Sequence, residues 1–383
     1  MNRGWSRGCK PLREANMIEG LETLLEGKDQ PGLTEVRELL QELLAGQDGT
    51  GRLLDQQSLK RRTQGVYRLR FAIDGQTRSV VIKRLEPEIA RRNELVARRW
   101  LPAVGLDGSG PPLLGSVAAR SGVCVWHVYD DLGSCELGPR EIDREPDGER
   151  LKAAVELIAQ IHTGFAGHAL LGEVRLHGGD LGIHFYETNV RDAISALLGW
   201  QPPADQRDLR DRLLVRLDRL LDELPQRAQA LAELGGPETL LHGDLWAINV
   251  FVIPSAKGPC ARLIDWDHAA VGPATYDLST FLLRFSAQHR PGVLERYRGA
   301  VARAGWRLPG TQALNLLFET HEYARFANRI IWPAIALVKD RAEWGVEELA
   351  EIEHWFEMLR PVLARENETH APPSPSSVLR RGQ

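Results

Sequence analysis

The stretch that decides the fold is Leu241-His242-Gly243-Asp244-Leu245-Trp246-Ala247-Ile248-Asn249-Val250-Phe251, with Leu263-Ile264-Asp265-Trp266-Asp267 shortly after it. Asp244 and Asn249 are five residues apart on a predicted loop, and Asp265 ends the second of two apolar runs. Turn residues at 254–259 separate those runs, which predicts a β-hairpin. Asn249 and Asp265 would return to the same end of it. We therefore predict that three oxygen-bearing side chains lie in one small volume.

Two carboxylates and an amide oxygen suit phosphoryl transfer from ATP. That reaction needs a carboxylate that receives the proton of the acceptor hydroxyl, and oxygen ligands for Mg²⁺. We predict Asp244 as the catalytic base, Asn249 as a metal ligand and Asp265 as the main metal ligand. A protein kinase spaces its catalytic Asp and Asn in the same way and then uses Asp-Phe-Gly. Here Gly243 replaces the kinase Arg, and Asp-Trp-Asp replaces Asp-Phe-Gly.

With those two departures, the segment resembles the corresponding motif of the aminoglycoside phosphotransferase and choline kinase-like superfamily. The resemblance is detailed over residues 241–280, which include Gly272-Pro273-Ala274-Thr275-Tyr276-Asp277-Leu278, and it is loose over 60–165. It implies an α+β, bilobal, protein-kinase-like fold, with ATP between a small antiparallel-sheet N-lobe and a larger, mostly helical C-lobe. It also implies supporting roles for His242, Asp267 and Asp277. Asp277 would hold the catalytic loop through backbone hydrogen bonds, and a helix cap is the alternative.

The N-lobe is predicted from strand patterns. Residues 66–73 alternate, Asp74-Gly75 forms a turn, and residues 79–83 follow as a buried strand that ends at Lys83. In a kinase-like lobe, Lys83 pairs with the α- and β-phosphates and is held by a glutamate of the next helix, for which Glu94 is the candidate within a helical pattern at 88–100. The alternative for Lys83 is an edge residue with its ammonium in solvent.

Two further segments of the N-lobe would meet the nucleotide. Residues 123–133 are predicted as a strand and the hinge to the C-lobe, whose main chain can hydrogen-bond adenine, and Tyr129 and Asp130 are the candidates there. A buried strand that ends in a turn explains both residues equally well. The turn over the phosphates would lie at 60–67, where Arg61 or Arg62 could touch phosphate and a solvated basic turn is the alternative.

The C-lobe is predicted to be helical. Helical spacing recurs over residues 149–163, over 205–234 with a kink or division at Pro225, and over 311–364, where Ile330-Ile331-Trp332-Pro333 interrupts it. His162 resembles a family histidine and is interpreted as a satisfied core residue. Residues 176–182 repeat the central motif superficially but lack the following Asn, so we treat them as a look-alike loop.

The acceptor is predicted to be a small molecule. Only a short loop joins Asp265 to Asp277, whereas a protein kinase has a long activation segment there. By the family resemblance, the acceptor pocket would be lined by His321, Glu322, Arg325 and Trp332. Aminoglycosides, other antibiotics, amino alcohols, sugars and amino acids all remain open. An atypical protein Ser/Thr kinase and a non-catalytic nucleotide-binding regulatory module are the alternative functions.

Composition bounds the remaining choices. A net charge of −4 over 383 residues gives no drive toward nucleic acid or an anionic membrane, and no apolar run is long enough for a membrane span. The four cysteines are far apart, which favours a reducing cytoplasm. A monomer or a homodimer is expected. The predicted domains are a helical extension at 1–50 with two amphipathic helices, an N-lobe at 51–130, a C-lobe at 131–364 and a disordered tail at 365–383.

Overall fold

The computed structural model describes residues 18–25, 30–44, 51–59, 65–139, 142 and 147–364. Contacts divide the chain into two compact units. The first unit is Met1–Cys135 with Arg262–Asp267, and the second is Glu136–Ala261 with His268–Gln383. Arg61, Arg62 and the predicted tail at 365–383 lie outside the described residues. The predicted domain limits stay a prediction.

The first unit is built on a sheet whose described strands are β1 Ile18–Glu19, β2 Gly51–Ser58, β3 Val66–Ile73, β4 Gln76–Leu85, β5 Leu113–Ala118 and β6 Val125–Asp130. Their order across the sheet is β1-β2-β3-β4-β6-β5. β1 runs parallel to β2, and the pairings of the other strands are antiparallel. The predicted hairpin is confirmed, since β3 pairs with β4 and places Val66 opposite Lys83. On the other side of β4, Lys83 lies opposite His127.

The sequence predicts two amphipathic helices over residues 16–45, and the structure contains the second. This is α1 Leu33–Leu44, whose buried residues share an apolar core with those of β3. The first prediction is wrong for residues 18–25, where β1 is followed by a 3-10 turn at Leu21–Thr23. Gly20 has a φ of +85°, a value that a right-handed helix does not contain. The chain therefore turns at Gly20 and buries its leucines against the sheet.

The predicted helix after β4 is present with one wider turn. It consists of α2 Pro87–Leu95, a π-helical turn at Val96–Trp100 and the short α3 Leu101–Ala103. Pro87 fits the first turn because an N–H at that position has no intrahelical partner. Helix α2 therefore begins directly after the strand that carries Lys83.

The second unit is mostly helical. Its described helices are α4 Gly148–Phe165, α5 Leu171–Gly178, α6 Ile183–Gly199, α7 Arg207–Asp222, α8 Leu224–Leu234, α9 Thr275–Leu283, α10 Arg290–Ala302, α11 Thr311–Lys339 and α12 Trp344–Met358. An apolar core is shared by α6, α7, α11 and α12. The strands β7 Glu238–Leu241 and β10 Ala270–Pro273 form a short antiparallel ribbon in this unit. The predicted hairpin is present as β8 Val250–Ile253 paired with β9 Cys260–Leu263, whose last two residues belong to the first unit.

The predictions made at two prolines of this unit have different outcomes. The predicted division at Pro225 is confirmed, because α7 ends at Asp222 and Pro225 lies in the first turn of α8. The predicted interruption at Ile330–Pro333 is wrong, because α11 continues through Pro333. An interior proline removes a hydrogen bond and costs about 3 kcal/mol. The fully buried Ile330 and Ala334 on either side of it offset that penalty by packing into the core.

In the part of the chain that the structure describes, none of the helices combines the length and the apolar character that crossing a membrane requires.

Candidate active site

Two carboxylates of the first unit hold Lys83. Its side chain lies in β4 and is largely buried, and its Nζ donates to Asp267 Oδ1 at 2.6 Å and also to Asp265 Oδ1. Burial acts to lower the pKa of Lys83, but the charges of Asp265 and Asp267 outweigh it and hold that pKa above its ordinary value. Lys83 is therefore a largely buried positive charge that two carboxylates hold in place.

Asp265 adopts an unusual backbone conformation after β9. Its φ is +66°, in the left-handed region that non-glycine residues seldom occupy. Trp266 Nε1 donates to the Leu263 carbonyl at 3.1 Å and ties this turn to the end of the strand. Such strain persists only where the surrounding structure imposes it, and it is concentrated at functional sites. The conformation makes Asp265 a candidate functional residue independently of its motif.

Helix α2 reaches Asp267 through two side chains that no sequence motif marks. The buried Asn93 donates from Nδ2 to Asp267 Oδ1 at 3.0 Å, and Arg92 Nη1 donates to the Asp267 carbonyl. A polar residue on the buried face of an amphipathic helix was the signal that could have identified Asn93. Asp267 is therefore tied both to α2 and to the ammonium in β4.

The structure does not bring Glu94 to Lys83. Among the described residues, the ion-pair partners of Lys83 are Asp265 and Asp267. Glu94 Oε1 lies 3.7 Å from Nε2 of His127, a fully buried histidine on β6. Burial lowers the pKa of His127 to about 4, so its ring is neutral at physiological pH. In this structure, Asp267 occupies the position at Lys83 that was predicted for Glu94.

Tyr129 and Asp130 end β6, and the link to the second unit follows them. Tyr129 Oη and His127 Nδ1 are 2.8 Å apart, and burial raises the pKa of the Tyr129 hydroxyl. Asp130 is exposed, and its backbone N–H donates to the Pro112 carbonyl at 3.1 Å. The next residue, Asp131, pairs with Arg68 at 2.8 Å and accepts from the Gly133 N–H at 3.0 Å. This segment is therefore braced by polar contacts, and its part in nucleotide binding stays a prediction.

In the second unit, Asp277 holds the loop that follows β7. Its carboxylate accepts from the N–H groups of His242 at 2.7 Å and Gly243 at 2.9 Å, which are the backbone hydrogen bonds predicted for it. The buried His162 lies with Nε2 3.3 Å from Asp277 Oδ2 and Nδ1 2.8 Å from Tyr297 Oη. Burial acts to raise the pKa of Asp277, but His162 and the loop N–H groups outweigh it and lower that pKa. Asp277 is thus an ionised brace inside the protein.

Asp244 and Asn249 lie on the loop that Asp277 holds. Asn249 is buried, and its Nδ2 donates to the Asp244 carbonyl at 2.9 Å, which leaves its amide oxygen as the atom for a metal. Among the described residues, the Asp244 carboxylate makes no hydrogen bond or ion pair, while its N–H lies 3.3 Å from His242 Nδ1. Asp265 belongs to the first unit, so the convergence of the three oxygens stays a prediction.

Gly243 is required by two features of this loop. Its φ is +81°, and a Cβ at this position would lie 2.0 Å from the His268 carbonyl oxygen. We expect Gly243→Ala to destabilise the fold by more than the ~1–2 kcal/mol of left-handed strain alone, because backbone must also move. Urea unfolding measures this change.

Gly236→Ala is the matched control for Gly243→Ala. Gly236 has a φ of +77°, but a Cβ there would meet no atom within 4 Å. This variant isolates the cost of the left-handed backbone. Equal losses of stability in the two variants would contradict a close-approach role for Gly243.

The predicted acceptor contacts divide into two groups. His321, Glu322 and Arg325 lie on α11 and are bonded to residues of α9, for example His321 Nε2 to Thr275 Oγ1 at 2.9 Å. Trp332 is 63% exposed further along α11. The first three therefore use their polar groups inside the second unit, and acceptor contact by any of the four stays a prediction.

The burial of His321 makes stability depend on pH. Burial, with Arg325 nearby, lowers the pKa of His321 to about 3, whereas the unfolded chain has the ordinary value of 6.5. The unfolded state therefore binds a proton between these values and the folded state does not. Stability is fully present above pH 6.5 and falls as the pH drops toward 3, by up to about 1.4 kcal/mol per pH unit.

A substitution separates this histidine from the other acid-sensitive groups. We expect His321→Gln to have a shallower loss of unfolding free energy between pH 6.5 and 4 than the unchanged protein, measured by urea unfolding. The control is His354→Gln, since the His354 side chain is 64% exposed. A pH dependence that is the same in all three proteins would rule out His321 as the source.

The sequence and the fold were compared with known proteins. Residues 58–314 match the model of the phosphotransferase enzyme family. A spectinomycin phosphotransferase solved with ADP and spectinomycin has 14% identity and a TM-score of 0.53, over 86% of this chain and 95% of that one. An ethanolamine kinase from Plasmodium vivax has 12% identity and a TM-score of 0.52, over 90% of this chain and 98% of that one. No curated protein gives a significant match.

These comparisons confirm two predictions. At such low identity the structural likeness shows the fold, which is the predicted α+β, protein-kinase-like architecture. The family match covers more than half of the chain and includes the loop with Asp244, so it also confirms the resemblance to the aminoglycoside phosphotransferase and choline kinase-like superfamily. The chain belongs to the phosphotransferase enzyme family.

Proposed function

We propose that this phosphotransferase moves the γ-phosphate of ATP to a hydroxyl group of a small molecule, with Mg²⁺. The observation that carries the proposal is the hydrogen bonding of Asp244, on its loop and at its carboxylate. Its loop is fixed by Asp277 and Asn249, yet its carboxylate makes no hydrogen bond or ion pair with the described residues. A carboxylate held in place without a protein partner suits a base that receives a proton from a substrate.

The oxygen donors fit Mg²⁺ that binds together with a nucleotide. Among the described residues, no group of three or more His, Cys, Asp or Glu side chains is arranged to hold a metal ion. Mg²⁺ in kinases commonly takes one or two protein oxygens and completes its shell with phosphates and water. Asp265 and the amide oxygen of Asn249 are the proposed ligands. When bound, Mg²⁺ supplies neutralisation of the charge on the phosphates.

The remaining residues of the chain bind and orient the reactants. Lys83 is proposed to pair with phosphate oxygens. Asp267, which α2 holds, keeps the Lys83 ammonium in place. Asp244 orients the acceptor hydroxyl and takes its proton. The end of β6, with Tyr129 and Asp130, is the proposed contact of the adenine ring of ATP. Positioning and charge neutralisation of this kind supply most of the catalysis in phosphoryl transfer.

A small acceptor is supported by the short connection between the metal-binding turn and α9. The 3-10 turn Trp266–His268 leads into β10, and α9 begins at Thr275, so the chain has little room for a peptide-binding segment. Two of the structural neighbours are, by name, a spectinomycin phosphotransferase and an ethanolamine kinase. We therefore place the acceptor among antibiotics such as aminoglycosides, amino alcohols, sugars and similar hydroxyl compounds.

A screen for ADP release tests this function. The purified protein is incubated with Mg-ATP and a panel of those compounds, with Asp244→Asn run in parallel as a control of strongly reduced activity. Release of ADP that depends on one class of compound, with the phosphorylated product found by mass spectrometry, supports the proposal. Transfer of radiolabel from ATP to protein would instead favour a protein Ser/Thr kinase. Tight ATP binding without any turnover would favour a nucleotide-binding regulatory module.

A further inference from the structure

A buried polar network joins α11 to the start of α9. The guanidinium of Arg325 donates to the Tyr276 carbonyl at 2.6 Å and to Ser279 Oγ at 2.9 Å. It also pairs with Glu322, which accepts from Ser279 Oγ at 2.8 Å. The Arg325 Cζ lies 3.8 Å from the centroid of the Tyr276 ring. One arginine therefore bonds a carbonyl, a hydroxyl, a carboxylate and an aromatic face.

The α9 residues of this network flank Asp277. Tyr276 precedes it directly and Ser279 follows it by two positions, on a helix whose first turn is completely buried. Asp277 in turn accepts from the His242 and Gly243 N–H groups, next to Asp244. A continuous chain of hydrogen bonds and covalent bonds thus leads from α11 to the proposed base, within the second unit.

Stability alone is a poor reason for such a network. Burying an arginine and a glutamate removes both charges from water, and a pair of this kind often adds little stability over apolar side chains of similar size. A guanidinium can fix the positions of several partners at once, because its N–H donors lie in one plane and point in defined directions. Burial acts to lower the pKa of Arg325, but Glu322 and the Tyr276 side chain outweigh it and hold that pKa above its ordinary value.

We propose that Arg325 and Glu322 are positioning residues for the catalytic loop and do not contact the acceptor. They fix the first turn of α9, so that the Asp277 carboxylate holds His242 and Gly243 and sets the place of Asp244. This inference rests on the proposed function, which makes Asp244 the base. It replaces the acceptor role that the sequence predicts for Arg325 and Glu322.

The test combines an exchange measurement with kinetics. Arg325→Met removes the bonds to Tyr276 and Ser279, and Ser279→Ala removes the shared hydroxyl with a smaller change of volume. Arg227→Met is the matched control, because Arg227 is also an arginine that contacts α11, with Thr320 Oγ1 at 3.0 Å, and its described contacts do not include α9. Its side chain is 4% exposed, against 18% for Arg325, so its removal is at least as large a disturbance of the core. Hydrogen–deuterium exchange is followed in the peptide that contains the His242 and Gly243 amides.

We expect both α9–α11 variants to increase exchange in that peptide by about tenfold or more, because the Asp277 bonds open more often. We also expect kcat to fall about 10–100-fold with KM for the acceptor nearly unchanged, as for a displaced catalytic group. Arg227→Met should leave both the exchange of the loop peptide and kcat near their wild-type values, even where it lowers Tm.

Three results would overturn the inference. The first is unchanged exchange in the loop peptide of Ser279→Ala, or of Arg325→Met where that variant folds. The second is a rise in acceptor KM with kcat unchanged, which would assign Arg325 to the acceptor pocket. The third is an equal effect of Arg227→Met on loop exchange. Exchange does not need turnover, so an inactive wild-type protein would refute the proposed function while the exchange result still decides whether α11 holds the loop.

Discussion

Asp265→Asn is expected to remove phosphotransfer. The substitution keeps the size and one oxygen of the side chain but removes the charge that is proposed to hold Mg²⁺. Because a bound metal ion stabilises transferred charge by several kcal/mol, we expect kcat to fall by roughly 10³-fold or more. The measurement is ADP release with the best acceptor from the screen.

The fold should survive this substitution. Lys83 keeps Asp267 at 2.6 Å, and Asn93 and Arg92 still hold that residue. The comparison variant is Asp267→Asn, which removes the same charge from the same lysine but leaves the proposed metal ligand in place. We expect its loss to be smaller, about tenfold, since Asp267 is proposed only to hold Lys83. Equal activity losses in the two variants, or turnover by Asp265→Asn near that of the wild type, would remove the ligand assignment.

The local features of this fold could be predicted because they depend on neighbouring residues. The β3–β4 hairpin follows from alternation and an Asp-Gly turn, and α1 follows from its apolar spacing. The strand β1 could not be found in this way. It has two residues, and its parallel partner begins at Gly51, so only distant pairing defines it. The course of α11 through Pro333 likewise depends on packing against other helices.

The contacts of the candidate site depend on side-chain directions that a motif does not specify. Spacing placed Lys83 on a strand and Glu94 on the next helix, but Glu94 lies beside His127 and Asp267 takes the lysine. For Asp277, the motif was sufficient, because its bonds go to backbone N–H groups whose positions the β7 ribbon fixes. The motif was therefore sufficient for the backbone contacts of Asp277 and insufficient for the side-chain contact of Glu94.

Asp244→Asn is expected to slow phosphotransfer and to leave ATP binding intact. The amide has the shape of the carboxylate but cannot take a proton from the acceptor hydroxyl. We expect kcat to fall by about 10²–10⁴-fold, the range associated with a positioned acid or base. The loop itself should be preserved, since it is held through the His242 and Gly243 N–H groups and through the Asp244 carbonyl, none of which the substitution alters.

The look-alike loop supplies a control for this prediction within the same chain. Asp180 follows His177-Gly178-Gly179 as Asp244 follows His242-Gly243, but its carboxylate accepts from the Gly182 N–H at 2.8 Å and pairs with Arg175 at 3.0 Å. Its oxygens are therefore used in the structure of the turn. Asp180→Asn should leave kcat near the wild-type value, while calorimetry should show similar ATP affinity in both variants. Full turnover by Asp244→Asn would refute its assignment as the base, because a residue that receives the acceptor proton cannot be replaced by an amide without a loss of rate.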